Sequence, residues 1–147
     1  MFGSLDISTS GLVAQRTRMT AIADNLANQR TLLAADGSYS PFQARDVVFS
    51  LGDPTTGDDA GVGAQVIRRN AFRWADPSDP AEQIPDHVVD AARKAGMVSK
   101  EGLVQVPDIN ETAQFVNAME AMRSYEANIS VADATKRMID GALQLLA

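Results

Sequence analysis

The chain of 147 residues contains no cysteine, which excludes disulfides, thiolate chemistry and cysteine-ligated zinc. It has a single histidine, His87, so a histidine-based metal site is excluded, and any serine-type triad would have to use this one residue as its base. Aromatic residues make up only 5% of the chain, which favours helix seams over a large aromatic pocket. Nothing approaches eighteen consecutive apolar residues, so no membrane span is expected. The opening Met1 to Ser10 lacks a basic start followed by an apolar run and a small-residue cleavage site, so no ordinary signal peptide is expected either. Positive charge is scarce: 13 Lys plus Arg stand against 19 Asp plus Glu, a net charge of -6 that argues against gripping nucleic acid or anionic lipid.

What the chain does have is concentrated at its ends. Leu5, Leu12, Met19 and Leu26 recur every seven residues, with Val13, Ile22 and Ala23 widening the stripe and no proline interrupting it. This predicts a helix within residues 1–31 that ends near Asn28 to Thr31, with Ser4, Asp6, Ser8 and Ser10 each able to cap its start. At the other end, Phe115, Met122, Ile129 and Leu143 share one heptad position, and Ala118, Tyr125, Ala132, Ile139 and Leu146 share its partner position. Lys136 is the only charged intruder. Asp108 followed three residues later by Glu111 fits a capping box, so a helix is expected from about 109 to near the C-terminus, within a segment 108–147.

The middle segment, 32–107, reads differently. Gln43 to Leu51 and Val62 to Trp74 carry β-branched and aromatic runs, predicting two paired strands separated by a mobile loop from Gly52 to Gly61. Leu103 to Val106 could add a third strand to the same sheet, and Asp86 could cap a short helix closed by Gly96. The fold class expected is therefore α+β, with long N- and C-terminal helices forming a coiled-coil-like bundle, together with a small β-rich middle region.

Catalytic signals are thin. His87 beside a helix start reads as a surface histidine. Asp53, Asp58 and Asp59 lie near Gly57, Gly61 and Gly63 but lack the alternation and terminal glutamate of a calcium loop, and the same glycines lead into a strand instead of a phosphate-binding helix. Arg68, Arg69 and Arg73, interleaved with Phe72 and Trp74, superficially resemble a single-strand-binding surface, but the acids from Asp76 to Glu82 spoil it. An edge strand protected by arginines is the better reading. Asn110 and Asn128 open glycosylation-like triplets on the expected long helix and read as chance matches. No enzyme activity and no cofactor are expected.

Length carries the functional argument. A helix from about 109 to the end is roughly 55 Å long, whereas a compact chain of this size is only roughly 40 Å across. The N-terminal helix is shorter and polar at Ser8, Gln15 and Gln29, so the two seams cannot fully cover one another, and neighbouring chains are expected to cover the remainder. Asn25, Asn28 and Asn128 flank these seams, where a buried asparagine costs stability while penalising the wrong register; the plainer alternative is that Asn28 merely ends its helix.

The stretch Ala23-Asp24-Asn25-Leu26-Ala27-Asn28-Gln29-Arg30-Thr31 resembles the N-terminal signature of bacterial flagellar axial proteins, the rod and hook components. Ala121-Met122-Arg123-Ser124-Tyr125-Glu126-Ala127-Asn128, with Lys136 further on, resembles their closing helix. Gly102 to Ile109 is similar to the segment leading into that helix in the small rod subunits. Leu103 stands where that family usually has tyrosine, Asp108 where it usually has asparagine, and Gln83 to Lys100 reads as a helical insertion.

The resemblance implies a structural subunit of the basal-body rod, exported through the flagellar type III apparatus and assembled in the periplasm into a hollow drive shaft for motility. Its implied partners are other rod subunits and itself, with ring or bushing proteins and the export apparatus as further contacts. It implies an assembly interface made of Leu5, Leu12, Met19, Ile22, Asn25, Leu26 and Asn28 on the first helix, and Phe115, Met122, Tyr125, Asn128, Ile129, Ile139, Leu143 and Leu146 on the last. A soluble coiled-coil adaptor or export chaperone binding a single partner is the alternative.

Overall fold

The computed structural model describes residues 2–53 and 58–146. Along the chain come α1 (Phe2–Asn28), β1 (Ala44–Asp53), β2 (Asp58–Arg69), β3 (Phe72–Ala75), α2 (Asp86–Lys94), β4 (Val104–Pro107) and α3 (Glu111–Leu146). The α+β class is as expected. Contacts group the chain into two compact units, one comprising Met1–Ala23, Asp46–Ile67 and Thr112–Ala147, the other Asp24–Arg45 and Arg68–Glu111.

In the first unit α1 and α3 lie alongside one another. Neither has an internal proline, and the 36 residues of α3 give it a length of roughly 54 Å. Gly11 of α1 meets Asn128, and Arg18, seven residues further on, reaches back to Asn117 (3.4 Å) and Glu120 (3.3 Å), so the two helices run antiparallel. Ala14, Ala21, Ile22 and Ala121 are buried here, together with Ser8 and Gln114. Mostly small side chains on this face let the helix backbones approach closely. Helical serines and threonines bond back to carbonyls one turn earlier, as Thr17 does to Val13 (3.0 Å) and Thr135 to Val131 (2.9 Å), which satisfies their hydroxyls without a partner element. Because α1 begins at Phe2, the four candidate caps Ser4, Asp6, Ser8 and Ser10 all fall inside the helix.

β1 and β2 form a two-stranded ribbon. Of the loop expected over Gly52 to Gly61, residues 54–57 lie outside the described residues, and the described remainder is strand. Gly52 (φ 73°) and Gly61 (φ 102°) lie inside β1 and β2 and adopt left-handed backbone that only glycine takes without strain.

In the second unit β3 pairs antiparallel with β4, Phe72 opposite Pro107 and Ala75 opposite Val104. Here the structure corrects two expectations. The run from Val62 to Trp74 is two strands, interrupted at Asn70 and Ala71, and the third strand joins β3 in a separate sheet without extending the ribbon. The Asp108 N–H, beyond the end of β4, donates to the Ala71 carbonyl at 3.2 Å, prolonging the β3–β4 ladder. Asp108 is therefore tied by its backbone to the residue before β3, and α3 starts three residues later at Glu111, so the capping box on Asp108 does not open the helix.

The core of this unit is Tyr39, Ala75, Ile84, Val88, Ala92, Val104 and Val106. Val88 and Ala92 come from α2, so the segment read as an inserted helix supplies two central side chains. Pro85, not Asp86, occupies the N-cap of α2, leaving Asp86 to face the positive end of the helix dipole. Gly96 closes α2 as expected. It takes φ 70°, and the N–H groups of Gly96 and Met97 return to the carbonyls of Arg93 (3.1 Å) and Ala92 (3.0 Å). The buried Tyr39 hydroxyl donates to the Gln105 carbonyl.

Candidate assembly interface

The two apolar rows of α3 have different environments. Ala118, Tyr125, Ala132 and Ile139 are half-buried, on the same side as the fully buried Ala121. Phe115 (52% exposed), Met122 (53%), Ile129 (39%) and Leu143 (61%) stand open to solvent. The side chain of Leu146 lies outside the described residues. At about 100° per residue, the open row sits about a sixth of a turn from the buried one, and Met119, also exposed, continues it.

A second open row lies on the other flank. Val116, Val131, Met138 and Leu145 are 46%, 54%, 67% and 90% exposed, and fall about a third of a turn from the buried face in the opposite sense. α3 is thus apolar on three sides, with only one of them covered by the described residues. This row was missed in the sequence, although Val131, Met138 and Leu145 recur every seven residues and carried the signal. A helix apolar on most of its circumference needs more cover than one neighbouring helix provides.

On α1, Ile22 is buried, while Leu5, Leu12, Met19 and Leu26 are half-buried; Ile7 and Val13 add exposed apolar surface. The three asparagines are engaged inside the chain. Asn25 is 1% exposed and bonded through its amide to the Arg45 backbone. Asn28 donates to the Asp24 carbonyl (2.9 Å) and accepts from the Thr31 hydroxyl (3.2 Å), so it ends its helix. Asn128 packs against Gly11.

The remaining chemical candidates are dispersed. His87 is an exposed residue of α2 beside a shallow groove with Tyr39, Asp90 and Lys94. Arg73 forms a paired ion bridge with Glu82 at 2.6 and 2.8 Å; that hydrogen bonding holds the Glu82 carboxyl below its ordinary range and raises the guanidinium. Arg30 reaches Gln83 at 3.4 Å across the mouth of a groove floored by Leu32, Ile84 and Val106. Among the described residues no group of three His, Asp or Glu side chains is placed to hold a metal ion, and no helix is long and apolar enough to cross a membrane.

Comparison with known proteins gives this surface its context. Residues 100–145 match the family described as flagellar basal body rod FlgEFG protein C-terminal. The flagellar basal-body rod protein FlgC of Yersinia enterocolitica is 33% identical over 141 residues, covering 95% of this chain and 93% of that protein. The protein of the same description from Bacillus subtilis (strain 168) is 33% identical over 161 residues, covering 98% and 97%. That of Borreliella burgdorferi is 28% identical over 159 residues, covering 99% and 97%. Likeness at this level along almost the whole chain, with two uncovered apolar flanks on the last helix, leads to one conclusion: the chain belongs to the flagellar basal-body rod protein FlgC family and is a structural subunit of the rod.

Proposed function

We propose that the subunit assembles through α1 and α3, and that the two open flanks of α3 are covered by the terminal helices of neighbouring subunits on either side. The single observation that carries this reading is the pair of exposed rows, Phe115, Met119, Met122, Ile129 and Leu143 on one flank and Val116, Val131, Met138 and Leu145 on the other. Apolar side chains left in water on both flanks of one helix favour burial by association, and association through two unlike faces gives an open helical array when the rotation between copies does not close into a ring.

On this reading the segments 1–31 and 108–147 are the assembly elements, and 32–107 forms the outer layer that meets other rod, ring or bushing components. Its partners are other rod subunits and further copies of itself. The subunit is non-catalytic, passes through the flagellar export apparatus and takes its place in the periplasmic rod, where it transmits torque to the hook. Leu5, Leu12, Met19 and Leu26 complete the seam on α1, and Tyr125 and Ile139 that on α3. The absence of cysteine agrees with a chain that needs no oxidative step after export.

Complementation of a strain lacking its rod subunit tests the reading. Met122→Asp or Val131→Asp is expected to abolish rods in isolated basal bodies, because a carboxylate buried without a partner is costly. Normal rods with either variant would overturn it, as would a wild-type protein that forms only a closed dimer in light scattering.

A further inference from the structure

Ser10 lies inside α1, where serine has no intrinsic advantage over alanine. Its hydroxyl is engaged twice. Oγ donates to the Ile7 carbonyl at 2.8 Å, within the helix, and accepts the Val62 backbone N–H of β2 at 3.0 Å. A strand amide that in a wider sheet would meet a third strand is here taken up by a helix side chain. The preceding residue, Gly61, passes so close that a Cβ there would lie 2.5 Å from Ser10 Oγ and 3.1 Å from Ser10 Cβ. The next residue of α1, Gly11, also approaches α3 closely, and an added Cβ there would lie 2.8 Å from Asn128 Nδ2. All of these residues belong to the same compact unit.

Two adjacent small residues on one turn of α1 thus receive two different elements, the ribbon at Ser10 and α3 at Gly11. A two-stranded ribbon alone is marginally stable and free to twist about its strand ends. We propose that Ser10 and Gly11 are the positioning residues that lock the β1–β2 ribbon and α3 to the same turn of α1, so that the ribbon is carried at a fixed orientation to the helix pair and shares the load those helices bear in the rod. This rests on the reading of α1 and α3 as the assembly element. It concerns a different contact, internal to the subunit, whose loss leaves the seams intact.

The test uses the full-length chain with Ser10→Ala, which keeps the helix and adds no volume. Hydrogen exchange at the Val62 amide is expected to rise about tenfold with the amides of α1 and α3 unchanged. In the complemented strain rods still form, but swimming in viscous medium is lost. Ser10→Thr, which retains the hydroxyl, restores both, and Gly61→Ala, which crowds the same contact from β2, reproduces the loss. Unchanged Val62 exchange in Ser10→Ala would overturn the contact. Raised exchange with undiminished swimming under load would overturn its role, as would loss of the rods themselves, which would put Ser10 in the seam. Normal rods with Met122→Asp would sink the assembly reading instead and leave the Val62 measurement standing.

Discussion

Asn25 pairs with the backbone of Arg45 as a neighbouring strand would: its Nδ2 donates to the Arg45 carbonyl at 2.8 Å and its Oδ1 accepts the Arg45 N–H at 2.7 Å. Asp24, one residue earlier, binds the guanidinium of the same arginine, and that guanidinium lies 5.7 Å from the centre of the Phe42 ring. The last turn of α1 is in this way fastened to the first residues of β1. Asn25→Ala strips the partners from two backbone groups beside a side chain that is 1% exposed. The expected cost is about 2–4 kcal/mol, read as a lower urea midpoint of the full-length protein. A midpoint equal to wild type would contradict this assignment.

The two flanks of α3 should respond alike in assembly and hardly at all in the stability of the single chain. Met122 and Val131 are 53% and 54% exposed, so Met122→Asp and Val131→Asp should each change unfolding free energy by no more than about 0.5 kcal/mol. Rod formation should nevertheless fail in both. Asp58→Ala should leave motility unchanged. Equal unfolding curves combined with absent rods in electron micrographs would separate seam from fold.

Acid should loosen the second unit through Glu82. Its carboxyl is held below the ordinary range chiefly by hydrogen bonding to Arg73, so the folded state binds this proton less readily than the unfolded chain, which takes it up near pH 4.5. The stabilisation is therefore complete above that range and is lost as the pH falls through the lowered folded value. Trp74, the only tryptophan, follows Arg73 on β3 and reports the change by fluorescence. Glu82→Gln should flatten the acid limb of the stability profile.

Alkali should act through Tyr39. Burial pushes its hydroxyl up to about 12 from 10.0, so the folded state keeps a proton that the unfolded chain gives up earlier. Its contribution is intact below pH 10 and is lost as the pH rises toward 12. Tyr39→Phe should remove this alkaline loss and, by deleting the hydrogen bond to Gln105, cost about 1 kcal/mol at neutral pH. Phenolate absorbance during a pH titration, together with denaturant midpoints at each pH, checks both.

The helices were legible because their determinants are local and periodic. Leu5, Leu12, Met19 and Leu26 mark α1, and Gly96 marks the end of α2, since only a residue at ease at φ 70° can close that turn. The break between β2 and β3 was not legible. Val62 to Trp74 is uniformly strand-like, and what divides it is the bond from Asp108 to the Ala71 carbonyl, between residues 37 positions apart. The same distant pairing moved the start of α3 to Glu111. In the candidate interface the heptads identified apolar rows without saying which one the chain covers itself. That depends on where α1 lies, which is why Tyr125 is half-buried while Met122, three residues away, is open. Asn25, Asn28 and Asn128 were noticed for their placement beside the seams, but their partners Arg45, Thr31 and Gly11 are fixed by tertiary packing.

The uncovered flanks of α3 have one last corollary, for growth. On the proposed reading, a subunit added to the end of a polymer hides one flank against the copy already there and presents the other afresh, so each addition recreates the acceptor it consumed. If the rotation between successive copies does not close into a ring, such growth has no stop of its own. The number of copies would then be set from outside, by a terminating neighbour or a confining wall.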